Sequence, residues 1–174
     1  MFYEGTASDW NAVTISSSGN DPLLGATMHY GATDFAAIRY KVPAFAGTST
    51  TLTFKSDTMT LTVSAADGNF NKDNVQGGVY RVYAKQKNCL TIYLGEYDTA
   101  SGAVTNTNAL ALPLGDVNSD DVIDFADTSR LLSAANYGKY NANMDLTGDG
   151  MITVADISTA LLAANYGMSS VKVV

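Results

Sequence analysis

The sequence contains a single cysteine and a single histidine among its 174 residues. Cys89 therefore cannot form an internal disulfide, and one Cys with one His cannot supply the ligands of a zinc site or a Cys–His nucleophile pair. Because Cys89 begins the apolar run 89–94, we expect it to be a small buried residue. The scarcity of both residue types argues against a thiol enzyme and against a transition-metal enzyme.

Basic charge and long hydrophobic runs are also scarce. Ten Lys and Arg against 17 Asp and Glu give a net charge of −7, which argues against a nucleic-acid partner because no basic stripe can contact phosphates. No apolar run approaches the roughly 20 residues of a membrane span, and the first residues lack the pattern of a signal peptide. With 46% hydrophobic and 16% charged residues, the composition indicates a compact globular protein.

The acidic residues are concentrated in the last third of the chain, where the sequence also repeats. Residues 115–167 contain eight Asp against Arg130 and Lys139, whereas residues 1–114 contain nine acidic and seven basic residues. A shared offset of 29 positions predicts a tandem repeat, with copies at 116–138 and 145–167. We therefore expect two domains, at residues 1–112 and 113–170. The matching positions are Asp116 with Asp145, Asp120 with Asp149, Asp127 with Asp156, Asn136 with Asn165, Tyr137 with Tyr166 and Gly138 with Gly167.

The first domain has a hydrophobic period of two. Ile38 and Tyr40 alternate with Arg39, and similar alternation occurs around residues 52–55, 59–63, 79–83 and 90–94. Threonine-rich outer faces and apolar inner faces are typical of strands with one solvated side. About seven short strands in roughly 110 residues predict an antiparallel β-sandwich.

Few residues of this domain could carry chemistry. A glycosidase needs two carboxylates facing each other across a cleft, but the carboxylates here lie mostly in turn-forming sequence, so we expect no enzymatic activity. A carbohydrate-binding sandwich, which would bind polysaccharide by stacking sugar rings on exposed aromatic side chains, stays open as an alternative. Tyr93 is the best candidate because alternation separates it from Ile92 and Leu94. The full set is Trp10, Tyr30, Tyr80, Tyr83, Tyr93 and Tyr97.

Two twelve-residue loops in the second domain carry oxygen ligands at the spacing of a calcium site. Calcium takes six to eight oxygens, and such loops supply them from positions 1, 3, 5, 7, 9 and 12, with position 7 contributing its backbone carbonyl. The first loop offers Asp116, Asn118, Asp120, Val122, Asp124 and Asp127. The second loop offers Asp145, Thr147, Asp149, Met151, Thr153 and Asp156. The sequence therefore predicts two calcium ions, one in each loop.

Each loop departs from this pattern at one position. Position 6 favours glycine because the chain bends sharply there; Gly150 fits, but Asp121 takes the place of glycine in the first loop. Asp tolerates the left-handed conformation better than most residues, so Asp121 weakens the first loop without excluding it. Thr147 in the second loop is a poorer ligand than Asn or Asp.

One amphipathic helix is predicted after each loop. Asp124 and Thr153 are placed as N-caps, and Gly138 and Gly167 are placed to end the helices. Residues 111–115 contain proline and glycine and are not expected to form a helix before the first loop. Each repeat is thus predicted to be a loop followed by an exiting helix.

This loop-plus-helix pattern over residues 115–167 resembles the dockerin family, in particular the type I-like dockerins of cellulosomal and amylosomal proteins. The resemblance implies a small all-α module of two F-hand repeats that binds two calcium ions and docks onto a cohesin module of a scaffold protein. The preceding sandwich resembles, in arrangement only, the X-modules that precede some dockerins. The implied protein is multidomain, an antiparallel β-sandwich followed by a dockerin.

The implied role is a non-catalytic one in assembling an extracellular polysaccharide-degrading complex. The β-sandwich would stabilise the dockerin or act as a spacer. We therefore expect an extracellular or cell-surface location, with this sequence a fragment of a longer secreted protein.

The resemblance also implies where a cohesin would bind. In dockerins, specificity lies at loop positions 10 and 11 and at positions 17, 18 and 22 on the following helix. In the first repeat these are Phe125, Ala126, Leu132, Ser133 and Tyr137. In the second repeat they are Val154, Ala155, Leu161, Leu162 and Tyr166. We interpret Leu132 and Leu161 as core residues in preference to partner residues, and the similarity of the two faces suggests two binding modes related by a half-turn.

Overall fold

The structure is a computed structural model that describes residues 2–3, 7–16, 29–30, 35–107 and 111–170. Most of the regular structure is β. The strands are β1 (Phe2–Tyr3), β2 (His29–Tyr30), β3 (Phe35–Lys41), β4 (Thr50–Lys55), β5 (Thr60–Ala65), β6 (Asn69–Gln76), β7 (Val79–Gln86), β8 (Ile92–Asp98) and β9 (Val104–Thr105). The α-helices are α1 (Ala7–Asn11), α2 (Phe125–Leu132) and α3 (Val154–Ala160), and short 3-10 turns span Pro43–Phe45 and Thr99–Ser101.

Two sheets enclose one core in the N-terminal part. The larger sheet has the order β5-β4-β7-β8 and is antiparallel throughout. The smaller has the order β6-β3-β9, in which β3 pairs antiparallel with β6 and parallel with β9. A sandwich-like fold therefore fits this part, but the parallel β3–β9 pair and a separate parallel β1–β2 pair depart from the all-antiparallel prediction.

Alternating side chains of both sheets form the core of the sandwich. In β4 every second residue is buried, so Leu52 and Phe54 point inward. Phe54 packs edge to face against Tyr40 of β3 and Tyr97 of β8, with ring centroids 5.8 and 6.1 Å away. Each such buried side chain contributes about 1.5–3 kcal/mol relative to an exposed one, so this core holds the two sheets together.

The C-terminal part has a hydrophobic cluster of its own, but it is not an all-α module. The cluster contains Val117, Leu131, Met144, Ile152, Ile157 and Ala160. The helices α2 and α3 have only eight and seven residues, and most of residues 113–170 form turns and bends. The prediction of a small all-α dockerin with two F-hand repeats is therefore wrong.

The helices are short because side chains end them earlier than the glycines would. The amide Nδ2 of Asn136 donates to the carbonyl of Arg130 at 2.8 Å, and that of Asn165 donates to the carbonyl of Thr159 at 2.9 Å. These bonds satisfy carbonyls at the helix ends and turn the chain. Gly138 and its counterpart lie several residues beyond, in turns rather than at the last helical residue.

The two repeats exchange backbone hydrogen bonds. Ile152 donates its N–H to the carbonyl of Lys139 at 3.0 Å and accepts from Gly138 at 2.8 Å. In the same way Ile123 donates to Met168 at 2.9 Å and accepts from Gly167 at 2.8 Å. Position 8 of each loop is thus held by the segment that follows the helix of the other repeat, which makes the two loops one folded unit.

The C-terminal part also contacts the turn between β7 and β8. The carbonyl of Asn88 accepts from the N–H groups of Gly115 and Asp116 at 2.8 and 3.0 Å, and Leu90 donates to the carbonyl of Pro113 at 2.9 Å. Buried Cys89 forms a β-bridge with Leu114. Among the described residues, none of the helices has the length and hydropathy needed to cross a membrane.

Candidate calcium loops and partner face

Three carboxylates converge in the second loop. Asp145, Asp149 and Asp156 each place one carboxylate oxygen within 4.8 Å of the others. Asp145 is held by the chain itself, because its oxygens accept from the N–H groups of Gly148 at 2.7 Å and Gly150 at 2.8 Å. Both glycines have positive φ, +75° and +92°, so the sharp turn that wraps the loop around these oxygens is made where glycine permits it.

Asp156 closes this loop from the first turn of α3. Its Oδ1 accepts from the N–H groups of Leu146 at 2.8 Å and Thr147 at 3.0 Å, and its Oδ2 accepts from Thr153 at 2.7 Å, completing a capping box. Burial raises the pKa of Asp156, but these N–H donors and the Thr147 hydroxyl outweigh burial and bring the pKa below its ordinary value. The carboxylate is therefore ionised and fixed in position.

The first loop repeats this scaffold with a different electrostatic balance. Asp127 accepts from Val117 at 2.9 Å, Asn118 at 3.1 Å and Asp124 at 2.9 Å. Burial, the largest effect, and the nearby charge of Asp116 nevertheless raise the pKa of Asp127 above its ordinary value. Among the described residues, the acidic side chains of the first loop do not come as close to one another as the three carboxylates of the second loop do.

A lysine from the sandwich contacts two acidic residues of the first loop. Lys85 of β7 places its Nζ 3.0 Å from Oδ2 of Asp116, which is fully buried, and also pairs with Asp121. Asp121 has a φ of +64°, and its carboxylate also accepts from Ser170 at 2.9 Å and Thr91 at 3.4 Å. Burial raises the pKa of Asp121, but Lys85 and these hydroxyls outweigh it and lower the pKa.

The remaining predicted ligands lie in their loops with matching local contacts. In the first loop Asp120 accepts from the N–H of Val122 at 3.0 Å, and in the second Asp149 accepts from that of Met151 at 2.9 Å. Asn118 binds Asp120 through its side chain. Oxygen donors of this kind, with carboxylates dominant, fit a hard cation such as calcium and do not fit zinc, which prefers nitrogen and sulfur.

The predicted partner residues are mostly exposed. The exposed fraction is 74% for Phe125 and 64% for Val154, the corresponding residues of the two repeats. Leu132 and Leu161 are 57% and 50% exposed, so their interpretation as core residues is wrong. The core positions are instead taken by Leu131 and its counterpart Ala160. Ala126, Tyr137, Ala155, Leu162 and Tyr166 are also exposed, and Ser133 is half-buried.

The aromatic residues considered for sugar stacking do not form an exposed row. Tyr80, Tyr83 and Tyr97 are buried in the sandwich, whereas Tyr93 is 40% exposed and leans on the ring of Tyr83 at 5.3 Å. Trp10 is half-buried, and the side chain of Tyr30 lies outside the described residues. Of these described side chains Tyr93 alone is exposed, so they do not form the exposed row that the carbohydrate-binding alternative requires.

Comparison with known proteins found a similar fold but no matching sequence family. No protein-family model matches the chain, and no curated protein matches it. Two crystal structures of type II cohesin–X–dockerin complexes from Acetivibrio cellulolyticus are similar to it, one of a C-terminal and one of an N-terminal interface mutant. Their identities are 18% and 17% and their TM-scores 0.55 and 0.53, and each match covers 78% of this chain and 97% of the other.

At this identity the similarity shows a shared fold. The chain thus shares its fold with a chain of each complex. Both complexes are of type II, so the type I-like assignment expected from the sequence is not confirmed, and neither is the X-module.

Sequence reasoning missed the residues that join the first loop to the sandwich. Lys85 lies 31 positions before Asp116, on a strand where alternation carries no information about a distant loop. The one usable signal was Asp121, the departure from glycine at position 6, because an acidic residue there can pair with a basic side chain.

Proposed function

We propose that this chain is a non-catalytic, calcium-dependent interaction module that docks onto a cohesin of a scaffold protein in a cellulosome-type assembly. One observation carries the proposal: two oxygen-lined loops, 29 residues apart, are each followed by exposed apolar residues at the same positions. Fold similarity to chains of type II cohesin–X–dockerin complexes supports it. Cohesin-based assemblies of this kind work outside the cell, so we infer an extracellular or cell-surface location.

Calcium would be held by the two loops. In the second loop Asp145, Asp149 and Asp156 would supply carboxylate oxygens, Thr147 and Thr153 hydroxyls, and Met151 its carbonyl. In the first loop the corresponding residues are Asp116, Asn118, Asp120, Val122, Asp124 and Asp127. Bound calcium would supply positive charge that cancels the repulsion among these carboxylates, so metal binding contributes directly to folding of residues 113–170.

The cohesin would cover the exposed apolar residues beside the loops. Phe125 and Val154 begin α2 and α3 and are the most exposed of the large apolar side chains among the predicted contacts. An exposed apolar strip of this kind marks a protein interface in a soluble module. The absence of Lys and Arg at positions 17 and 18 of both repeats favours a mainly apolar contact. We propose that either helix can make this contact, which gives two binding modes.

Binding to a type II cohesin by isothermal titration calorimetry tests the proposal. We expect binding with calcium and none with excess chelator. Phe125→Asp and Val154→Asp should each leave binding through the other face, whereas the double variant should lose it. Val79→Asp, at a residue of the sandwich that is 51% exposed, is the matched control and should bind as the parent does. Equal binding with and without chelator would contradict the proposal, and loss of binding in one single variant would contradict the two modes.

A further inference from the structure

The two calcium loops differ in their surroundings although they match in sequence. The first loop has a cation from another part of the chain, because Lys85 of β7 contacts both Asp116 and Asp121. Among the described residues, no lysine or arginine pairs with Asp145, Asp149 or Asp156 of the second loop. At position 6 of the second loop, the space around Gly150 is open, so no side chain of the sandwich packs there.

The contacts around Asp121 form a junction between three segments. Its carboxylate accepts from Lys85 of β7, from Thr91 just before β8 and from Ser170 near the end of the described chain. Its backbone carbonyl accepts from the N–H of Ser170 at 2.8 Å, and the neighbouring Val122 forms a β-bridge with Ser169. These contacts join the first loop to β7, to the segment before β8 and to residues 169–170.

The charge of Lys85 has opposite effects on the first loop with and without metal. Without calcium, the Lys85 ammonium stabilises a buried carboxylate at Asp116 that would otherwise lack a counter-ion. With calcium in the loop, the same ammonium lies close to a divalent ion and repels it. Because Lys85 stabilises the metal-free loop more than the loaded one, it must lower the affinity of that loop for calcium.

We propose that Lys85 is a built-in counter-ion of the first loop, which keeps this loop folded and docked on the sandwich without metal and makes the second loop fill with calcium first. The inference rests on the calcium binding proposed above. As a consequence, the two loops bind calcium in order. The first loop stays attached to the sandwich without calcium, and the second loop binds calcium at a lower concentration.

The test uses Lys85→Met, which keeps an apolar stem and removes the charge. Arg81→Met is the control. Arg81 lies on the same strand and carries the same charge, but among the described residues its salt bridge is with the exposed Asp57. Calorimetric calcium titrations should give two steps for the parent protein. Lys85→Met should tighten the weaker step roughly fivefold to tenfold and lower the melting temperature in chelator, and the control should change neither.

Asp121→Asn provides a variant that is expected to fold, since Asn also tolerates the positive φ of this position. It leaves Lys85 less neutralised, so the weaker step should weaken further, opposite to the effect of Lys85→Met. Two bound ions with unchanged or reduced affinity in Lys85→Met would overturn this inference and leave the proposed function intact. Absence of calcium binding in the parent protein would overturn both.

Discussion

Gly115 lies where the sandwich meets the C-terminal part, and replacing it by alanine should destabilise the protein strongly. Its φ of +150° is rarely adopted by residues with a Cβ, which costs about 1–3 kcal/mol. An added Cβ would lie 2.9 Å from Cγ2 of Ile123 and 3.2 Å from Cα of Ala160, both fully buried. Because the second contact is to helix backbone, it is not relieved by a rotamer change, and overpacking adds about 1–3 kcal/mol.

We therefore expect Gly115→Ala to lose about 2–6 kcal/mol of unfolding free energy, the sum of the strain and overpacking terms. Gly138→Ala is the control, because Gly138 also has a positive φ, +73°, but nothing lies within 4 Å of its added Cβ. That variant should lose only about 1–2 kcal/mol. Urea unfolding followed by far-UV circular dichroism measures both values. Equal losses in the two variants would refute the close packing of Gly115 against α3.

Two further predictions concern the sandwich. Burial raises the pKa of the Cys89 thiol to about 11, so at pH 8 the thiol is protonated and should react with a thiol reagent only after unfolding. Because the thiol of the unfolded chain ionises at lower pH, the free energy of unfolding should fall as the pH rises from about 8.5 towards 11, and Cys89→Ala should lack this fall. Tyr97→Phe should lose about 1–2 kcal/mol, because the buried hydroxyl donates to the Gly102 carbonyl at 2.9 Å and accepts from the Arg39 N–H at 3.2 Å, whereas Tyr93→Phe, at an exposed ring, should unfold at the parental urea concentration.

Alternation in the sequence identified strands where one face is apolar. It located β4 and β5, in which Leu52, Phe54 and Leu61 turn toward the core. It missed β6, because Asn69–Gln76 is polar at most positions and buries only Phe70 and Val75. That strand is stabilised by pairing with β3, a contact between distant segments that local pattern does not encode.

The beginning of each C-terminal helix was predictable and its end was not. Asp124 and Thr153 were predicted as N-caps from short-range spacing, and both are present with capping boxes. The ends depend on Asn136 and Asn165, whose side chains compete for the last helical carbonyls. A pattern of apolar residues alone extends such helices too far, and here it placed their ends at Gly138 and Gly167.

The candidate site was also predictable only in part. Ligand positions follow from spacing within twelve residues, and the convergence of Asp145, Asp149 and Asp156 agrees with that spacing. Lys85 acts on the first loop from another sheet strand, so only the folded chain brings its ammonium to Asp116.

Calcium-dependent docking is tested most directly by a calorimetric calcium titration of the chelator-stripped protein, with far-UV circular dichroism recorded at each step. We expect two bound ions and a structural change on binding, since both loops carry the required oxygens and calcium cancels the repulsion among their carboxylates. A titration without heat and without a spectral change would contradict calcium-dependent docking, because docking is proposed to require bound calcium.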